Sequence, residues 1–571
     1  MGPVTQPGIN LAAAFAALAD DDGDQQCLIF GERTMTRAVV RARAAGIAGL
    51  LAAAGLGCFA ERDRLAGWER GQSTVGLMLF NGNEYLEAML GSYAARCAPA
   101  NFNWRSTAEE LAYLLADSGA EALIYHRSLR STVARTLELA KPLKVLLEVD
   151  DGTTEQGDID APPGSAPYEE AVARAESTWI DGSPDDLYVL YTGGTTGRPK
   201  GTLWCQRDFV AGALGVRHTN IEFLVAAAAK AAGRLRSLAA PPLIHGAAQW
   251  NAWSAWLGGG TVVFPSSVHR FDPLDVLETA ERERVTSLQI VGDAFGRPLL
   301  DTVARRSFDL PALRFITSGG TALSPETRIG LQQAFPGVIV LDIMGSSEAG
   351  RLAVATHGSI ESAPLEARAE APAGFVPSDS STVIDEDRRA LVAVSNDEIG
   401  WLAKPGPIPL GYLGDRAKTE TTFPTIDGVR YAVPGDRARW RADGSIEVLG
   451  RDASVINTGG EKVFAEEVEA ALVSHPAVAD ALVIGRPHPV LGNEICAVVA
   501  FVDDPASGRG IVTIGELRDH VSTTLARYKL PRHFSIVPTV RRSPAGKPDY
   551  AWARAEVAPG TTAPDPRPSP S

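Results

Sequence analysis

The run Tyr191-Thr192-Gly193-Gly194-Thr195-Thr196-Gly197-Arg198-Pro199-Lys200-Gly201 constrains this chain more than any other stretch. Its four glycines let the backbone turn tightly and present bare N–H groups to an anion, while Thr192, Thr195 and Thr196 add hydroxyl donors and Lys200 adds charge. Such a cradle suits the phosphates of ATP. The spacing does not fit a Walker A loop, which ends in Gly-Lys-Ser/Thr, and it is not the G-x-G-x-x-G that opens a dinucleotide-binding helix. Residues 188–190 before it read as a strand, and Pro199 argues against a helical continuation. Taken alone, the same residues also read as a Gly/Thr hairpin turn.

Composition sets the frame for that loop. With 571 residues, 45% hydrophobic and 22% charged, the chain matches a globular protein large enough for several domains. A net charge of -15 argues against nucleic acid as the main partner and leaves room only for local basic patches. Cys27, Cys58, Cys97, Cys205 and Cys496 form no C-x-x-C pair, a pattern of reduced thiols rather than of a zinc site. The apolar stretch 224–232 is broken by Lys230, 44–57 is too short to span a bilayer, and residues 1–6 match neither a signal peptide nor a myristoylation signal. The expected location is the cytoplasm, with peripheral membrane association through an exposed apolar patch left open.

Along the chain, strand-like and helical runs alternate, which predicts an α/β fold with substantial parallel sheet. Strands are expected at 75–80 and 122–125 and helices at 84–95 and 108–115; Asp272 is placed to cap a helix that opens on Pro273. Residues 150–185 read as a surface connection, and 559–571, rich in Pro, Ser and Thr, as a disordered tail.

Further blocks follow in order. Ser318-Gly319-Gly320-Thr321 ends a strand-like run at 313–317, where small residues let a flat group approach the backbone. Leu341-Asp342-Ile343-Met344-Gly345-Ser346-Ser347-Glu348 follows an apolar strand at 338–340. Then come Tyr431-Ala432-Val433-Pro434-Gly435-Asp436, Gly450-Arg451-Asp452-Ala453, Thr458-Gly459-Gly460-Glu461-Lys462 leading into a helix at 465–473, and Arg542-Ser543-Pro544-Ala545-Gly546-Lys547.

Over nearly the whole chain, this series resembles the adenylate-forming superfamily of acyl-CoA synthetases, luciferases and peptide-synthetase adenylation domains. The resemblance implies a large N-terminal domain of parallel and mixed sheets with helices over 1–449, a hinge at 450–453 and a small mobile α+β domain over 454–558. It implies that Thr192, Gly193, Gly194, Thr195, Thr196, Gly197 and Lys200 cradle the ATP phosphates. Ser318, Gly319, Gly320, Asp342, Met344, Gly345, Ser346 and Ser347 would face adenine and its surroundings, with Met344 in place of the usual aromatic and Ser347 in place of threonine. Glu348 matches the Mg²⁺ carboxylate, Asp436 the ribose acceptor, Arg451 a ribose or phosphate contact, and Lys547 the adenylation lysine. Thr196, Glu348 and Lys547 are thus the catalytic candidates. Pro434 and Ala453 depart from the pattern, where threonine and a charged hinge residue are usual.

The implied chemistry joins a carboxylic acid to CoA through an acyl-adenylate, with Gly459 and Gly460 beside a pantetheine channel. The finer resemblance, carried by residues 241–247, 292–299, 345–348 and 543–550, is to actinobacterial synthetases acting on steroid side-chain acids or fatty acids. His245, Gly246, Trp250 and Gly292 would line the acid pocket, together with Trp253 and Leu257 at helical spacing from Trp250; the same spacing equally reads as core packing for each of these tryptophans. A bulky hydrophobic acid is expected over acetate or an amino acid, with Asp293 the one acid placed to serve an amino acid's ammonium if it points inward. Transfer to a carrier protein and a non-catalytic nucleotide-binding homologue are the alternatives.

Overall fold

The computed structural model describes residues 8–152, 160–192, 199–216, 218, 220–321, 323–358, 376–377, 381–394, 398–451, 454–458, 461–488, 491–502, 512–525, 527–543 and 546–557. The chain forms two compact units, residues 1–381 with 404–434 and residues 382–403 with 435–571.

In the larger unit a nine-stranded sheet has a parallel centre, with Gln26–Phe30, Thr261–Phe264, Arg236–Ala239, Ser287–Ile290, Phe315–Gly319 and Ile339–Ser346 side by side in that order. Antiparallel strands flank it: Arg33–Thr36 on one edge, Gly350–His357 and Val376–Pro377 on the other. Val262, Val263, Phe264, Leu288, Ile290, Ile316 and Val340 are all buried, the near-continuous apolar run expected of strands covered on both faces. A second, all-parallel sheet holds Ala98–Asn101, Thr74–Met78, Ala120–His126, Val145–Val149 and Ala166–Pro167.

Local sequence explains the elements. The helix Ala108–Ser118 starts at a capping box between Thr107 and Glu110 and stops at Gly119, whose φ of 60° suits glycine and turns the chain into the next strand. Asp272 caps Pro273–Arg282 by accepting from Leu274 and Asp275 N–H. The strand expected at 338–340 runs from Ile339 to Ser346, because pairing with strands on both sides carries it through the small-residue block. Burial pushes the thiols of Cys27, Cys97 and Cys205 up to about 12, so these cysteines are protonated packing residues at neutral pH. Among the described residues, no helix is long and apolar enough to cross a membrane.

The smaller unit pairs Glu461–Phe464, Val455–Thr458, Gly492–Phe501, Val478–His488 and His533–Ile536 in one sheet. The helices Ala465–Val473 and Ile514–Ser522 cover it through Val468, Leu472, Leu517 and Val521.

Candidate active site

The strands Leu187–Thr192 and Lys200–Cys205 pair antiparallel, with Thr192 opposite Lys200, so the phosphate-loop sequence joins the two arms of a β-hairpin. Gly193, Gly194, Thr195, Thr196 and Gly197 lie outside the described residues. The mouth of the loop is fixed by Asn101, which is buried: it accepts from Tyr191 N–H at 2.8 Å and donates to the carbonyls of Tyr191 at 2.8 Å and Ile244 at 2.6 Å. One amide thus holds the entry to the loop and the entry to the acid-side helix in a common register.

Glu348 sits on the turn between Ile339–Ser346 and Gly350–His357. Ser347 donates to its Oε2 at 2.8 Å and Tyr412 to its Oε1 at 2.9 Å. Tyr412 belongs to the two-residue strand Gly411–Tyr412, which pairs with Lys200–Cys205 through Thr202 and Leu203. Trp204 of the same hairpin donates its indole N–H to Ser347 O at 3.0 Å, and the Ser347 hydroxyl lies 3.4 Å from that of Thr192. One small sheet therefore gathers the loop end, Tyr412 and Glu348. Lys200 is ion-paired with Asp415, the N-cap of Arg416–Thr422. Sequence reasoning missed Tyr412 and Asp415; their signal, one aromatic after a glycine and one acid, is local and weak.

Of the residues expected at the nucleotide, Ser318 uses its hydroxyl to accept from Gly292 N–H at 3.1 Å, so it ties the strand Phe315–Gly319 to the start of the helix Gly292–Arg305. Asp342 lies in register between Ser318 and Ala355. Burial pushes its carboxyl up to about 7, with Arg328 opposing and Asp293 adding to the rise. Gly345 must be glycine, since a Cβ there would meet Gly350 O at 2.6 Å, and Met344 stands beside it, half-buried. Thr317 Oγ1, at the middle of Phe315–Gly319, and Ser346 Oγ, at the end of the neighbouring strand, are buried without a partner among the described residues. Two orphaned hydroxyls on neighbouring strands, a framed carboxylate and the Thr192 hydroxyl near Ser347 fit a nucleotide with Mg²⁺, an ion that takes one or two carboxylates and phosphate oxygens.

Of the residues expected at the acid pocket, His245 is half-buried and precedes the helix Gly246–Leu257 as its N-cap. Gly246 leans on the hairpin, where a Cβ would meet Leu190 Cδ2 at 2.7 Å. Trp253 and Trp256 pack the core, the Trp256 indole donating to Cys27 O at 2.8 Å, whereas Trp250 is only partly buried. Asp293 accepts from Ser324 N–H at 2.8 Å and pairs with Arg297 at 3.1 Å, which occupies the carboxylate.

In the smaller unit, Asp436 and Arg451 stand opposite one another on paired strands. Lys547 is exposed and closes a tight turn: Ser543 N–H donates to Lys547 O at 2.8 Å, and Arg542 anchors the turn with two 2.7 Å bonds to Asp480. Gly459 and Gly460 lie outside the described residues, as do residues 452–453 and 558–571.

A fold of this kind, with a glycine-rich hairpin facing a framed glutamate, defines a nucleotide-using enzyme. The AMP-binding enzyme family matches residues 15–408, and its AMP-binding enzyme C-terminal domain matches residues 467–547. The chain belongs to this family. It is 45% identical over 567 residues to the medium-chain acyl-CoA ligase Mig of Mycobacterium avium, covering 97% of this chain and 100% of that one. It is 37% identical to the 3-oxocholest-4-en-26-oate--CoA ligase of Rhodococcus rhodochrous, covering 86% and 89%. The anthranilate CoA ligase AuaEII in complex with anthranoyl-AMP has the same fold, with a TM-score of 0.77 at 20% identity over 96% of this chain and 97% of that one. So has ATP-bound MatB from Rhodopseudomonas palustris, at 0.75 and 22% over 97% and 100%.

Proposed function

We propose that this chain is an ATP-dependent carboxylic acid:CoA ligase acting on a bulky hydrophobic acid, either a medium- or long-chain fatty acid or a steroid side-chain acid. The near full-length 45% identity to a medium-chain acyl-CoA ligase carries the reading, with 37% identity to a steroid-acid ligase widening the acid class.

In the first step the acid's carboxylate attacks the α-phosphorus of ATP, giving an acyl-adenylate and releasing pyrophosphate. In the second the CoA thiolate attacks the acyl carbon and AMP leaves. Both reactants of the first step are anionic, so the protein's task is positioning and charge neutralisation rather than nucleophilic catalysis. Thr192, Lys200 and the residues 193–197 cradle the phosphates. Lys200 exchanges its Asp415 partner for phosphate oxygens, and Lys547 supplies a second cation. Glu348 would hold Mg²⁺, which would supply neutralising charge to the phosphates. Asp342, Ser346 and Ser318 with Gly319 and Gly320 face the adenine, and Asp436 takes the ribose hydroxyls. The small domain swings about 450–453 between the two steps, withdrawing Lys547 and bringing Gly459 and Gly460 to the thiol channel.

His245, Gly246, Trp250 and Gly292 line the acid pocket. Asp293, the acid beside Gly292, is committed to Arg297 and Ser324 rather than to an ammonium. The reaction takes place in the cytoplasm, where ATP and CoA are available. ATP–pyrophosphate exchange driven by candidate acids, followed by a thioester assay with free CoA or a phosphopantetheinyl carrier protein, tests the reading. Thioester formed on the carrier alone would replace it.

A further inference from the structure

Lys404 is buried, 4% exposed, and its ammonium donates to three backbone carbonyls: Arg351 O at 2.9 Å, Ala349 O at 3.0 Å and Gly212 O at 3.1 Å. Three N–H donors meet three acceptors, so the group is fully satisfied without a carboxylate. Its neighbouring charge is a second cation, Arg351, and burial lowers its pKa to about 8. Burying an ammonium is costly, and here the three carbonyls it gathers offset that cost.

Those carbonyls belong to a joint where backbones nearly touch. Gly350, with φ of +66°, has room for no Cβ, since one would meet Gly212 O at 2.8 Å and Ala213 Cα at 3.1 Å. A Cβ on Gly212 would meet Pro407 O at 2.3 Å. Glu348 stands inside this joint. The carbonyl before it, Ser347 O, is held by Trp204, and the carbonyl after it, Ala349 O, by Lys404.

We propose that Lys404 is a positioning residue for adenylate formation, clamping the turn on which Glu348 stands so that its carboxylate is aimed at the metal–phosphate group. This rests on the reading of Glu348 as the metal-holding carboxylate. Lys404 touches no reacting atom; it acts through the Ala349 and Arg351 carbonyls, and a neutral side chain removes the one donor group that gathers the three carbonyls and frees the turn to shift.

The test uses the full-length enzyme with Lys404→Met, Gly350→Ala and, as control, Glu348→Gln. Two readouts are taken: the Mg²⁺ half-saturation of ATP–pyrophosphate exchange, and thioester formation from synthetic acyl-adenylate and CoA. Lys404→Met is expected to raise the Mg²⁺ half-saturation by about tenfold while thioester formation from the adenylate stays within about twofold. Gly350→Ala strains the same joint from the other side and gives the same signature if Lys404→Met does not fold. An unchanged Mg²⁺ half-saturation in the folded variants, with Glu348→Gln shifting it, overturns the proposal alone. An unchanged value in Glu348→Gln overturns the reading beneath it as well.

Discussion

The hydroxyl of Tyr412 donates to Oε1 of Glu348 across 2.9 Å, joining the short strand Gly411–Tyr412 to the turn that follows Ile339–Ser346. With Ser347 on the other oxygen, the carboxylate is held by two hydroxyls before any ligand arrives. Tyr412→Phe is therefore expected to raise the Mg²⁺ half-saturation of adenylate formation by about tenfold, with little change in thermal stability. Glu348→Gln raises it further, because the ligand's charge is lost while its size is kept. Mg²⁺ titration of the exchange reaction checks both; a Tyr412→Phe curve that overlays the parent's would detach Tyr412 from the metal site.

Lys547 stands on the turn that Arg542 and Asp480 anchor. Lys547→Ala is expected to slow adenylate formation by roughly 10²–10³, the usual effect of removing one transition-state charge partner. Thioester formation from preformed acyl-adenylate persists. Equal loss of both half-reactions, measured separately, would contradict a lysine that serves one step only.

Asp342 gives a pH prediction with a definite sign. Its folded pKa of about 7 lies above the ordinary carboxylate value of 3.8, burial being the main cause. The folded state holds a proton that the unfolded chain has released, so this group's contribution to stability is present at low pH and is lost as pH rises to about 7. Asp342→Asn stays neutral and removes that loss: at pH 8 it is expected to be the more stable protein by about 1 kcal/mol, and the gap closes by pH 4. Denaturant unfolding at the two pH values measures this.

Two tryptophans of one helix pack against the same core cluster to different depths. Trp256 is 1% exposed and lies in the core, so Trp256→Ala is expected to destabilise the larger unit by about 3–5 kcal/mol. Trp250 is only partly buried; Trp250→Ala changes the relative kcat/KM among acids with a much smaller loss of stability. A Trp250 variant with an unaltered acid profile would assign that residue to packing alone.

The alternation of strand and helix was legible because buried parallel strands are short apolar runs between capped helices. The helix expected at 465–473 is Ala465–Val473, and Asp272 caps as its position before Pro273 predicts. Boundaries were less legible. The Asp342–Ser346 block belongs to the strand because its neighbours pair with it, and a partner strand leaves no mark in the paired sequence. At the candidate site, Glu348 is proposed from its motif, whereas Tyr412, Asp415 and Lys404 leave no such mark in the sequence: each makes its contacts there with residues 53 to 215 positions away. Asp293 was open as an ammonium partner from its sequence position alone, and only its contacts with Arg297 and Ser324 close that role.

The most direct test of the central claim is kcat/KM for thioester formation, with ATP and CoA saturating, across a steroid side-chain acid, medium- and long-chain fatty acids, acetate and an amino acid. Burying apolar surface contributes roughly 25 cal/mol per Å² before binding costs, so the hydrophobic acids are expected to exceed acetate by about a hundredfold or more. Preference for acetate or for the amino acid would contradict the account.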